Sequence, residues 1–552
     1  MGSPVRSLKV AVLLAVVAFI VTVAALPPGR GTGNVDAQPT VSAPSVITGS
    51  TVLSDPPVVE TQQSLSASAP TQAQLSAAQA HMAFRDAAWA ARTETPSSEP
   101  RGAAPVVPTA RPTLPSGPAR GPAAPETLTV YRNNLARMAG SVSNIAEPSV
   151  AAAGKHVFMT WNWGASISHN GGTTWTAVDP YAGFVAPHSF CCDQDTLYDR
   201  GRDMMIWYRQ GVLANSVGQN QVKISRSNDG GVTWLTYNLQ PITLNPTWTN
   251  QWFDYPHLAV SNDYLYITTN MFSSGGAFIR MIVMRWRLDD LRAGVAAGVT
   301  TWSRTAGWSW APVQGAREVM YLGDTTSSGG IFTVFTQKES DTLLTSVNVT
   351  IPAWTFTAKN TGSCPVLGGL NPCARADQRI TDGVVTNNTA GGSLTSGVIT
   401  FFWNVKQGGT FPKPYVNAAS FNEVTKALVS QPVIWNTAIT WHWASVSSNE
   451  RGDIGATAYI FDPLTRPRVA ALIDDDMNGN PPGWENVQIT NSAGNPSASS
   501  WGDYSRVRPN YPCGTGWSAS VYSKDVATTS EPRFVQFGRG RDLPCNQRWG
   551  DK

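Results

Sequence analysis

Ser168-His169-Asn170-Gly171-Gly172-Thr173-Thr174-Trp175 returns 59 residues later as Ser227-Asn228-Asp229-Gly230-Gly231-Val232-Thr233-Trp234. Both segments read Ser-x-Asp/Asn-x-Gly-x-Thr-Trp. The Asp or Asn side chain and the glycines suit a tight hairpin with positive φ, and the tryptophan suits packing between neighbouring sheets. A hairpin repeated at that distance implies a sheet unit of about 60 residues, used more than once.

The strands around these hairpins keep the same period. Short runs of β-branched and aromatic residues, bounded by Gly, Asn, Asp and Pro, predict strands at 156–161, 204–208, 264–268, 331–336, 398–403, 456–461 and 517–522. With Phe158, Ile206, Tyr266, Thr333, Phe401, Tyr459 and Ser520 as markers, the intervals are 48, 60, 67, 68, 58 and 61 residues. The fold class is therefore all-β. The expected architecture is a β-propeller of seven four-stranded blades, with six as the alternative count. The orphan strand 127–131 is expected to pair with 533–537, closing the last blade and removing an exposed edge.

Acidic residues precede most of those strands. The segments are Glu147-Pro148-Ser149-Val150, Asp193-Gln194-Asp195-Thr196-Leu197, Asp254-Tyr255-Pro256-His257-Leu258, Asp324-Thr325-Thr326, Asp382-Gly383-Val384-Val385 and Asp503-Tyr504-Ser505-Arg506-Val507. The sixth unit departs with Trp443-Ala444-Ser445-Val446. Each segment is expected to start an innermost strand beside the central channel. There the carboxylates either accept bonds from the neighbouring blade's N–H groups or face a ligand at the channel mouth.

Composition bounds the rest. The 552 residues carry 40 Lys plus Arg against 37 Asp plus Glu, a net charge of +3, which excludes a polyanion-binding surface and with it nucleic acid as a partner. No glycine-rich phosphate loop leads from a strand into a helix, which argues against a nucleotide-using enzyme. Residues 1–37 read as a signal peptide or membrane anchor: Arg6 and Lys9, an uncharged run at 10–26, then Pro27-Pro28 and a cleavage-like Val35-Asp36-Ala37. Residues 38–125, rich in Ala, Pro, Ser, Thr and Gln, read as a disordered linker, interrupted by a marginal helix at 71–94 with Leu75, Met82 and Trp89 on one stripe. Residues 126–548 form the propeller. Six cysteines in an exported chain imply disulfides, with Cys364–Cys373 and Cys513–Cys545 as candidate pairs and the adjacent Cys191 and Cys192 left as a vicinal pair or bonded elsewhere.

The two hairpin segments resemble the Asp-box, or bacterial neuraminidase repeat, of sialidases and related propellers, and the resemblance extends over residues 126–548. It implies a propeller fold and, for a sialidase, exo-cleavage by a Tyr nucleophile with a Glu partner, an Asp acid/base and three arginines gripping the substrate carboxylate. The residues themselves nominate Asp254, Tyr255 and His257 at one blade start, and Asp503, Tyr504 and Arg506 at another, as catalytic candidates: carboxylate, phenol, imidazole and guanidinium at one opening can do acid/base work on a glycan. Residues 474–485 match a calcium-loop spacing, which nominates Asp474, Asp476, Asn478, Asn480 and Glu485 as ligands of a structural Ca2+. The expected function is a secreted or surface-tethered, monomeric, sialidase-like propeller that acts on or recognises an extracellular carbohydrate. No Phe-Arg-Ile-Pro-like segment opens the domain, which keeps a noncatalytic binding or structural propeller as the alternative.

Overall fold

The computed structural model describes residues 41–61, 71–91, 126–136, 145–214, 216–325, 330–354, 362–386, 397–475, 477, 483–496 and 501–542. The signal segment 1–37, Cys545, Asp476, Asn478 and Asn480 lie outside these residues, as do the side chains of Leu75, Met82 and Trp89. Among the described residues no helix is long and apolar enough to cross a membrane.

The chain is all-β. Its strands form six hydrogen-bonded sheets, five of four or five strands and one of nine. The nine-stranded sheet has a parallel seam, where Ala311–Gln314 pairs with Ile380–Thr386. Every strand expected from the 60-residue period is present, and each lies second from the inner edge of its group except Ile331–Lys338, which lies third. The innermost strands are Ser149–Ala153, Phe190–Asp199, Gln251–Val260, Ala311–Gln314, Ile380–Thr386, Thr440–Ser448 and Arg506–Pro509. Each lies against the next, and the last lies against the first. The sheets are therefore arranged radially about one axis. Asp324 departs from its expected place: it sits at the end of Val319–Thr325, and Ala311–Gln314 takes the inner position because it folds back as a hairpin and fills the gap to the next sheet.

The ring is closed as expected. Thr129–Leu135 pairs antiparallel with Ser530–Gly538, so the strand that begins the domain completes the sheet that ends it. The two repeated hairpins have the same hydrogen bonds. Asn170 Oδ1 accepts from the N–H groups of Thr173 and Thr174, and Asp229 Oδ1 from those of Val232 and Thr233. Gly172 and Gly231 donate to the Ser168 and Ser227 hydroxyls, each at 2.8 Å, from backbones at φ 81° and 89° that disfavour a side chain. Trp234 is fully buried between Phe158 and Trp207.

The region expected to be a disordered linker is partly ordered. Ser45–Thr48, Ser50–Leu53 and Val58–Thr61 add in turn to the outer strands Leu343–Thr350, Gly298–Arg304 and Thr233–Leu239. This strap satisfies the free N–H and C=O groups of three sheet edges, which an open propeller leaves exposed. It is anchored by Glu60, buried against Arg209 at 2.6 Å with Lys223 at 3.6 Å. Beyond the strap, the helix α1, Gln72–Ala91, sits against the inner strand Phe190–Asp199. Among the described residues two cysteine pairs are bonded to each other, Cys191–Cys192 and Cys364–Cys373.

Candidate functional site

The inner strands become irregular where they reach the channel. In Gln251–Val260 the register jumps from Asp254 opposite Asn270 to His257 opposite Thr268, so Tyr255 and Pro256 bulge, with Tyr255 at φ 61°. Thr440–Ser448 jumps from His442 to Ser445 in the same way, with Trp443 at φ 49°. Bulges of this kind re-aim side chains near functional openings. Past each bulge an N–H donates to a carboxylate on the preceding inner strand: Leu258 to Asp195 at 3.0 Å and Val446 to Asp382 at 3.1 Å. The divergent Trp443-Ala444-Ser445-Val446 thus serves the same geometry as Tyr255-Pro256-His257-Leu258.

The acidic residues divide into two groups. Asp195 and Asp382 fasten the ring together. Asp195 also accepts from the Ser149 hydroxyl at 2.7 Å and pairs with Arg506 at 3.0 Å and Arg508 at 3.1 Å, which reach it from 311 and 313 residues further along the chain. Arg506 also donates to the Pro256 carbonyl at 3.1 Å. This buried cluster ties the inner strands together, and all three Arg506 nitrogens donate within it, which makes Arg506 a structural cross-brace.

The second group, Glu147, Asp193, Asp254 and Asp503, gathers around a cation that the sequence placed in the linker. Arg85 of α1 donates to Asp193 Oδ1 at 2.9 Å and lies 3.1 Å from Asp254 Oδ2, with Glu147 and Asp503 close enough to feel its charge. Burial pushes the Glu147 carboxyl up to about 8, with Asp193 and Asp503 adding to the shift and Arg85 opposing it. Burial pushes Asp254 up to about 6, with Arg85 opposing. Asp503 is also raised by burial, against the pull of Arg379, which it meets at 3.2 Å. Glu147 is oriented by the Asn162 amide at 2.8 Å and the Asp503 N–H at 2.9 Å, and Asp254 by the Gln210 amide at 2.9 Å.

Aromatic rings pack beside this acidic cluster. The Arg379 guanidinium lies 4.2 Å from the centre of the Tyr255 ring and is held by Asp377 at 2.7 Å. Tyr255, His257 and Tyr504 pack edge to edge, with ring centres 4.7 to 6.4 Å apart. The Tyr504 hydroxyl donates to the Gln194 carbonyl at 3.2 Å. Burial, reinforced by Arg506 and Arg379, pushes the His257 imidazole far below its ordinary range and keeps it neutral. The six catalytic candidates thus come together on two neighbouring faces, Asp254 and Asp503 toward Arg85 and Arg379, and Arg506 toward Asp195. Sequence reasoning had the acidic starts of Glu147 and Asp193 in view without nominating them. It missed Asp377 and Arg379, which carry no local signal, and Arg85, hidden in an alanine-rich stretch.

The calcium loop fits its metal poorly at the one decisive ligand. Of the five nominated residues, Asp474 and Glu485 are described, and Glu485 is already engaged: Oε2 accepts from Arg539, and Oε1 accepts the Leu128 N–H at 2.8 Å. A bidentate calcium ligand would have to release both. Chelation is accordingly expected to leave Tm unchanged within about 1 °C, whereas a fall of several degrees would restore the metal reading.

No family model matches the chain, and no curated protein matches it. Among solved structures it is similar to the GH93 α-L-arabinofuranosidase of Fusarium graminearum, described in complex with arabinobiose, at 8% identity and a TM-score of 0.37, over 75% of this chain and 99% of that one. It is similar to an α-L-arabinanase of Penicillium chrysogenum at 9% identity and a TM-score of 0.37, over 74% and 98% of the two chains. A Hadza microbial sialidase aligns at 13% identity and a TM-score of 0.39, over 74% of this chain and 68% of that one.

Proposed function

We propose that this chain is an exported, seven-bladed propeller that acts on carbohydrate at the channel mouth, with Glu147 as proton donor and Asp254 as the ionised carboxylate. The observation that carries this reading is the placement of two buried carboxyl groups around one guanidinium, that of Arg85, with displaced ionisations. Between about 6 and about 8, Glu147 keeps its proton while Asp254 has lost its own. Glycoside cleavage uses this division of labour, an acid for the leaving oxygen and an anion facing the developing positive charge. Seven blades are supported by the closed ring of inner strands and by the parallel seam that divides the nine-stranded sheet. Export is supported by the signal-like start and by the bonded cysteine pairs.

The electrostatics argue against the anionic substrate of a sialidase. Arg379 and Arg506, the guanidinium groups that lie over the rings of Tyr255 and Tyr504, are each tied to an aspartate. The test is a release assay over neutral, amine-bearing and sialylated glycans, with Glu147→Gln as control. Release from a neutral or amine-bearing glycan that the control lacks supports the reading. Preferential release of sialic acid would refute the substrate argument, and no release from any class would leave a noncatalytic binding propeller.

A further inference from the structure

We propose that the mouth contains a subsite for a cationic group, ammonium or guanidinium, and that α1 closes it from within by seating Arg85 there. The geometry has three parts. The first is the seated side chain: Arg85 bridges Asp193 on one inner strand and Asp254 on the next, at 2.9 and 3.1 Å. Those two strands belong to separate sheets, so the pocket for the guanidinium belongs to the propeller and the helix supplies only the occupant.

The second part is unspent binding capacity around that pocket. Asp193 Oδ2, Gln210 Oε1 and the Tyr208 hydroxyl are all buried and make no hydrogen bond among the described residues. Asp193, Gln210 and Tyr208 are each fully buried, and Gln210 is the residue that orients Asp254. Buried acceptors without donors are costly. An ammonium offers three donors in a compact group, where the fork of Arg85 meets only one oxygen of each aspartate.

The third part is the charge balance. Asp193, Asp254, Asp377 and Asp503 face Arg85 and Arg379, with Glu147 protonated beside them, so the mouth is short of positive charge even with the helix in place. Withdrawal of α1 would leave Asp193 and Asp254 without a cation in a water-poor site, and an incoming cation restores what the helix removed. The helix is held by His81 and Phe84, whose rings lie 4.9 and 5.9 Å from that of Trp252, and by His81 Nδ1, which accepts the Leu213 N–H at 3.3 Å. It follows a strap that stays paired to an outer strand and holds the chain close after the helix leaves. On the glycan reading proposed above, on which this substrate class rests, the displacing group is the free amine of an amino sugar.

The test uses the full chain and its Arg85→Ala variant, with methylguanidinium and glucosamine as probes and tetramethylammonium at matched ionic strength as control. Both probes are expected to bind the variant at least tenfold more tightly than the wild type by calorimetry, and Asp193→Asn in the variant background is expected to abolish the difference. In the wild type, methylguanidinium is expected to speed hydrogen exchange across residues 72–91, a readout that needs no variant to fold. Equal binding to both proteins, or exchange in α1 that is indifferent to the probe, would overturn the proposal. The outcome is separable from the glycosidase reading: binding without sugar release keeps the subsite and refutes the enzyme, while release without cation binding does the reverse.

Discussion

Arg506→Met is expected to destabilise the propeller by about 3–5 kcal/mol, enough to threaten folding at 37 °C. Arg506 is 1% exposed and joins a strand near the end of the chain to Asp195 and to the Pro256 carbonyl on two earlier inner strands. Its removal leaves Asp195 with one cation, Arg508, in place of two and leaves the Pro256 carbonyl without the Arg506 donor. Breaking one partner of a buried pair costs more than the pair contributes, because the remaining charge is stranded away from water. The contrast is Arg287→Ala, which removes an exposed pair with Asp289 at 3.6 Å and is expected to change stability by less than about 1 kcal/mol. Urea denaturation of the two variants checks both values. Similar small effects would mean that the channel cluster does not brace the ring.

Glu147→Gln is expected to lower the rate of glycan release by about 10²–10⁴-fold while leaving the fold intact, since the amide keeps the shape and loses the transferable proton. The pH profile carries the sharper test. In the wild type the rate should fall as pH rises through about 8, where Glu147 gives up its proton, and fall again below about 6, where Asp254 takes one up. The glutamine variant should lose the alkaline limb and keep the acid limb in whatever activity remains. An unaltered alkaline limb would assign the proton donor to another residue.

Much of the fold can be read from the chain because a propeller repeats. The strands around Phe158, Ile206 and Tyr266 announce themselves by alternation and by spacing, and the two hairpins at 168–175 and 227–234 share one set of side-chain to backbone bonds. The sequence missed what depends on contacts without local pattern. Ser45–Thr48 and Val58–Thr61 are short β-branched runs in a Pro- and Ser-rich context, and they become strands only because an outer edge needs partners. Asp324 follows the acidic pattern yet lies off the inner edge, because the Ala311–Gln314 hairpin comes between. Of the six catalytic candidates, Asp254 and Asp503 join the acidic group around Arg85, while Arg506 belongs to the cluster around Asp195. Spacing placed all of them at inner-strand starts, but the bulge at Tyr255 decides which way Asp254, Tyr255 and His257 face. Arg85 could not be found from composition, since nothing in an alanine-rich helix says that its arginine will be met by four carboxyl groups from four other regions of the chain.

The most direct measurement is a double-mutant cycle between Arg85 and Asp193, read by denaturant unfolding of the wild type, Arg85→Ala, Asp193→Asn and the double variant. The two side chains are 108 residues apart in sequence and 2.9 Å apart in the folded chain. A helix seated in the mouth of a closed ring predicts a coupling of about 1.5 kcal/mol or more, as expected for a desolvated charge pair. Strictly additive effects, within about 0.3 kcal/mol, would contradict the arrangement that brings α1 and the acidic inner strands to one opening.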